Sequence, residues 1–116
     1  MNESAGTLEI KTVTTDGRAV VQVRGEVDLR TSPRLRVLLL EAAANLSGPL
    51  LLDLSGVSYM DSSGVGTMVY VKRELERRGR RFVLIGLQQR VRGVFEITHL
   101  DKFFTIVENV DEAGES

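Results

Sequence analysis

Apolar and polar residues alternate through Leu8, Glu9, Ile10, Lys11, Thr12 and Val13, the period of a strand with one face buried. Asp16-Gly17 is a tight-turn dipeptide, and a β-rich pattern resumes from Ala19 to Val23, so the two runs predict an N-terminal hairpin. The period then changes. Ser32-Pro33 predicts a helix start, with serine as the cap and proline in the first turn, where its missing N–H costs nothing. Leu35, Leu38, Leu39, Ala42, Ala43 and Leu46 follow at helical spacing, and Gly48-Pro49 ends the run.

Leu50-Leu51-Leu52-Asp53-Leu54 is nearly continuous in apolar residues, as in a strand covered on both faces. A loop over 55–61 and a second helix over 62–78 follow, with Val65, Met68, Val69 and Leu75 inward and Gly79 as terminator. Residues 82–85 predict another buried strand. A weaker helix over 89–98 turns Val91, Val94 and Phe95 inward, although Gly93 inside it costs about 1 kcal/mol relative to alanine. Residues 103–107 predict a last strand, a short helix follows from Val110, and the end from Gly114 is expected to fray. Strand and helix alternate from Leu50 onward, which predicts right-handed βαβ units. The expected fold class is α/β: one domain over 1–116 with its core in about 8–107, a mixed sheet of four or five strands packed against three to four helices.

Composition narrows the function. With 116 residues there is room for one core. A net charge of -1 gives no electrostatic case for nucleic acid or an anionic membrane. The absence of cysteine excludes disulfides, thiolate metal sites and cysteine nucleophiles. Residues 1–7 are polar and lack the basic-then-apolar order of a signal peptide, and no apolar run approaches the length of a bilayer span. The expected location is the cytoplasm.

Chemistry concentrates in Tyr59-Met60-Asp61-Ser62-Ser63-Gly64-Val65-Gly66, where a loop enters a helix. In one reading Ser62 is a helix cap, with Gly64 and Gly66 letting the first turn approach the sheet. In the other, Ser62 lies where free backbone N–H groups and the positive helix end favour a phosphate, and phosphorylation adds about −1.5 to −2 charges beside Asp61. A serine-hydrolase reading fails on spacing: Met60 and Asp61 stand where the nucleophile elbow needs glycine before Ser62 or Ser63, and His99 is the single histidine available as a base. Gly64-Val65-Gly66 lacks both the full dinucleotide fingerprint and the lysine of a phosphate loop. No metal-ligand spacing is present.

Two further features have plain explanations. Gly25-Glu26-Val27-Asp28 reads as a solvated turn leading into the first helix, and the basic run over 72–81 reads as a solvated helix C-terminus complementing the macrodipole. A nucleic-acid surface calls for stacking aromatics or a net basic domain. His99 reads as a loop or helix-end residue.

Taken together, Gly25-Glu26-Val27-Asp28 with Thr31-Ser32-Pro33, Leu52-Asp53-Leu54 with 57–66, and the stretch over 91–100 make the chain resemble the STAS family, and within it the bacterial anti-sigma factor antagonists. The resemblance runs from about residue 8 to 107. It implies a partner-switching cycle. The unphosphorylated protein binds an anti-sigma factor that is also an ATP-dependent serine kinase, and so frees a sigma factor. The kinase phosphorylates the serine after the aspartate, here Ser62 with Ser63 as second choice, and a PP2C-type phosphatase reverses the step. The resemblance places the partner-binding surface at Glu26, Asp28, Asp61, Ser63, Gly64 and Val65. It implies no catalytic residue, metal or cofactor in this chain, and no direct contact with nucleic acid or membrane. An alternative within the family is a scaffold subunit of a larger signalling assembly. Two residues depart from the family pattern: His99 stands in the turn after the third helix where many relatives have glycine, and if that position needs a positive φ histidine adopts it less easily than glycine; Gly93 stands where a larger residue is usual.

Overall fold

A computed structural model describes residues 8–15 and 17–114. Asp16 of the turn, residues 1–7 and residues 115–116 of the end expected to fray lie outside the described residues, whereas Gly114, the first residue of that end, is described and its carbonyl is hydrogen-bonded by Arg18. The chain runs β1 (Leu8–Thr15), β2 (Arg18–Val27), α1 (Ser32–Asn45), β3 (Leu50–Met60), α2 (Ser62–Arg77), β4 (Phe82–Ile85), α3 (Gln89–Ile97), β5 (Thr105–Val107) and a short 3₁₀ turn (Val110–Ala113). The five strands lie in the order β1-β2-β3-β4-β5. The β1–β2 pair is the predicted antiparallel hairpin, with Thr15 opposite Arg18, and the remaining pairs are parallel. Each crossover steps to the next strand in the same direction, so right-handed connections put all three helices on one face.

Side-chain alternation along β3 divides the core accordingly. Leu50, Leu52 and Leu54 pack with Leu35 and Leu39 of α1, Met68, Val71 and Leu75 of α2, and Val91 and Phe95 of α3. Leu51 points the other way, to a smaller cluster with Val20, Val83, Ile85 and Ala113. The 3₁₀ turn is fastened over that cluster: Arg18 donates to the carbonyls of Gly114 and Val110, and Arg81 to that of Ala113.

Several expectations need correction. The stretch over 55–61 is not a loop as far as Met60; β3 continues to pair with β2 until Met60 meets Val27. Two register shifts against β2 each put one extra residue into β3, so that Val57 turns inward in place of Gly56 and Ser58, and the second shift brings Met60 back into phase with Leu50, Leu52 and Leu54. Gly56 is needed there, since a Cβ would stand 2.7 Å from Arg24 Cγ. Likewise Gly25-Glu26-Val27 belongs to a strand rather than to a solvated turn, and only Asp28 begins the turn. Thr31, not Ser32, is the N-cap of α1; Ser32 is buried and its carbonyl accepts from Thr67 Oγ1. The last strand is shorter than predicted because Phe104 turns into the core, ring edge against Phe95. The basic run is not wholly solvated either: Arg80 donates to the carbonyls of Ala43 and Gly48, which fastens the C-terminal end of α1.

Helix α3 ends on a residue in the left-handed conformation. His99 has φ 61°, its N–H donates to Glu96 O, and Leu100 N–H donates to Phe95 O, the paired bonds of a Schellman ending. Gly79, with φ 70°, plays the same part at the end of α2.

Candidate functional site

The last rung of the β2–β3 ladder sets the site. Val27 and Met60 are opposite one another, and Asp61 N–H donates to Val27 O at 3.1 Å, so the two strands leave the sheet together. One continues into the turn before α1, the other directly into α2. Asp61 is extended, and its Oδ1 accepts from Ser63 N–H at 2.9 Å, Gly64 N–H at 3.4 Å and Ser63 Oγ at 2.5 Å. Asp61 is therefore the cap of α2, and the reading of Ser62 as the cap is wrong. This also corrects the expectation of free backbone donors around Ser62, because the aspartate already occupies those of Ser63 and Gly64. A phosphoryl group on Ser62 would stand beside a carboxylate instead of in a vacant anion cradle.

The two serines differ in consequence. Ser62 is the first residue of the helix and is exposed; Ser63 is half-buried, with its hydroxyl committed to Asp61. Gly64 and Val65 are buried and hold the helix start against the sheet. A Cβ on Gly64 would lie 2.5 Å from Met60 Cγ and 2.7 Å from Val27 Cγ1, so the predicted close approach is real at this glycine. It is not at Gly66, which is exposed with no atom within 4 Å of an added Cβ.

The neighbouring turn is braced from within. Asp28 Oδ1 accepts from Arg30 N–H at 2.9 Å and Thr31 N–H at 3.2 Å, while Oδ2 meets the Arg30 guanidinium at 3.2 Å. Thr31 Oγ1 accepts from Asp28 N–H and donates to Glu26 O, both at 2.9 Å. Partial desolvation works to raise the Asp28 pKa, but the hydrogen bonds from Arg30 and Thr31 together hold it below the ordinary carboxylate value. Asp28 thus shapes the turn, and what the turn presents is Leu29, 77% exposed. Leu29 was not marked by any motif; a lone leucine between charged residues carries no periodic signal.

Glu26, Asp28, Asp61, Ser62 and Ser63 accordingly meet at one end of the sheet, with Tyr59 opposite Glu26 in register. His99 lies in the turn after α3, and no hydrogen bond among the described residues links it to either serine. Among the described residues no three His, Asp or Glu side chains cluster as metal ligands. No helix among them is long and apolar enough to cross a membrane.

A family model, the STAS domain, matches residues 9–113. The chain belongs to the STAS domain family. A Staphylococcus epidermidis protein named anti-sigma-B factor antagonist is 31% identical over 104 residues, covering 90% of this chain and 96% of that protein. An anti-sigma factor antagonist from Mycobacterium paratuberculosis superposes with a TM-score of 0.81 at 26% identity, over 97% of this chain and 95% of that one. The anti-sigma factor antagonist SpoIIAA in its unphosphorylated form gives 0.72 at 27% identity over 92% of each chain. The phosphorylated form of the Bacillus protein gives 0.64 at 25%, over 92% and 96%. The three solved structures share this chain's overall fold.

Proposed function

We propose that this STAS domain is itself an anti-sigma factor antagonist, switched by phosphorylation of Ser62. The observation that carries the reading is the exposed hydroxyl at the first position of α2, beside a neighbouring serine whose own hydroxyl is tied to Asp61. An outside transferase can reach the first and must break a bond to use the second. That SpoIIAA is known in unphosphorylated and phosphorylated forms supports the same chemistry here. The whole chain acts as one unit in the cytoplasm, as ligand and substrate of an anti-sigma factor that is a serine kinase; a PP2C-type phosphatase resets it.

Phosphorylation replaces a small neutral hydroxyl with a dianion next to the Asp61 carboxylate. The isolated domain solvates that charge. A partner docked over Ser62 has to strip its water away, and desolvating an unpaired charge at an interface costs about 2–5 kcal/mol, enough to dissociate a micromolar complex.

The test uses the purified kinase with ATP. One phosphate on Ser62 is expected by mass spectrometry, with Ser62→Ala unmodified but still bound to the kinase and Ser62→Asp unbound. Wild-type affinity in Ser62→Asp refutes the mechanism.

A further inference from the structure

We infer that β1 pairs with β1 of a second copy of this chain, edge to edge and antiparallel about a two-fold axis at Ile10, which joins two five-stranded sheets into one continuous sheet. This contact does not depend on the switch proposed above. β1 is one end of the sheet, and among the described residues no strand lies against its outer side. The hairpin register says which backbone groups that side carries. Thr15 is opposite Arg18 with two residues between them, so this pair closes the ladder with hydrogen bonds, and Val13, Lys11 and Glu9 follow as bonded partners of β2. The N–H and C=O groups of Leu8, Ile10, Thr12 and Thr14 therefore point outward. Leu8 O bears this out, since it accepts from Arg34 Nη1 of α1 at 3.3 Å. The outward groups of Ile10, Thr12 and Thr14 have no partner among the described residues. Such a row is a template for another strand. β1 is eight residues long, whereas the opposite edge, β5, has three.

Charge selects both the occupant and the register. Val13 packs in the smaller cluster, so Lys11 and Glu9, two and four residues before it, share the helix-free face, and both are exposed. Lysine on an edge ordinarily keeps other strands away. Here an acid stands two residues from it. With the axis at Ile10, Glu9 of each copy is opposite Lys11 of the other, twice by symmetry, in the non-hydrogen-bonded position where side chains are closest. Ile10 is then opposite Ile10 and Leu8 opposite Thr12, both through outward backbone groups. Leu8 O has a second lone pair, so Arg34 can keep its bond. Moving the axis to Glu9 or Lys11 sets like charges together, and moving it to Thr12 sets Lys11 against Val13 and Glu9 against Thr15. Of these registers, the one at Ile10 alone pairs both charges with opposite ones.

Neither charge is committed within the domain. Lys11 forms no ion pair among the described residues, and Glu9 has a loose one, 3.9 Å from Arg24, with the two side chains 77% and 70% exposed. On the helix face, Ile10 is half-buried against the core, and pairing with its symmetry mate covers the remainder. No residue of the β3–α2 junction takes part, so the phosphorylation state of Ser62 should not alter the pairing.

Sedimentation equilibrium of the full chain, from micromolar to millimolar concentration, is the test. Lys11→Glu, the double swap Glu9→Lys with Lys11→Glu, Thr12→Pro and Ser62→Asp are run beside wild type, each with a melting curve. Wild type should show a concentration-dependent monomer–dimer equilibrium. Lys11→Glu turns two attractions into two repulsions and should raise the dissociation constant by about tenfold or more. The double swap restores opposite charges and should recover association, which a merely damaged strand would not. Thr12→Pro deletes an outward donor and no bond to β2, so it should stay folded and monomeric. A wild type that remains monomeric throughout overturns the inference. So does a dimer that Lys11→Glu leaves unchanged, or that the double swap fails to recover. Loss of the dimer in Ser62→Asp puts the contact at the start of α2 and overturns the edge pairing, with the switch untouched.

Discussion

Replacing Gly64 by alanine probes how tightly α2 is seated on the sheet. The added Cβ would stand 2.5 Å from Met60 Cγ, 2.7 Å from Val27 Cγ1 and 3.2 Å from Met60 Sδ, and both neighbours are buried. Met60 can flex, but Val27 is β-branched and sits on the last rung of the β2–β3 ladder, so the helix start has to lift. Overpacking of this kind costs about 1–3 kcal/mol. Alanine recovers up to about 1 kcal/mol of helix propensity, less in a first turn than mid-helix, leaving a net loss of about 1–2 kcal/mol. Unfolding entropy of about 2.1 cal/mol/K per residue gives about 0.24 kcal/mol/K for 116 residues, so Tm should fall by about 4–8 °C. Gly93→Ala is the internal comparison: its Cβ meets nothing within 4 Å, and Tm should rise by about 2–4 °C. Circular dichroism melts of the three proteins in one buffer decide the matter. If Gly64→Ala melts at or above wild type, the close packing at Asp61–Val65 has been misjudged.

Two further predictions rest on the ends of the helices. His99 holds a left-handed conformation that costs a side-chain-bearing residue about 1 kcal/mol or more, so His99→Gly should raise Tm by about 4 °C or more and the β-branched His99→Val should lower it; a lower Tm for glycine contradicts the assignment. Because Asp28 has a depressed pKa in the folded state, its contribution is present above the unfolded carboxylate value and is lost as pH falls through the folded one. Melts between about pH 6 and 2.5 should therefore show a shallower acid decline for Asp28→Asn than for wild type, and parallel declines speak against the braced turn.

Periodicity alone carried most of the architecture. The alternation at 8–13, the stripe from Leu35 to Leu46 and the apolar runs at 50–54 and 82–85 are local patterns, and local patterns decide which face of an element is buried. The turn glycines are local in the same sense, whereas the left-handed conformation of His99 is seen only in the structure. Where the chain left its regular period, the sequence was silent: β3 reaches Met60 through two register shifts that depend on β2 lying alongside.

The candidate site divides along the same line. That a serine-rich helix start next to an acidic turn matters is visible in 25–28 and 59–66. Which side chain caps the helix is a contest between Asp61 and Ser62 for the same N–H groups, and the extended backbone of Asp61 at the end of β3 settles it. The exposure of Leu29 and the open space over Gly66 arise only when two strands end side by side and a helix is pressed against them. Those are properties of neighbours distant in the chain, and no reading of consecutive residues contains them.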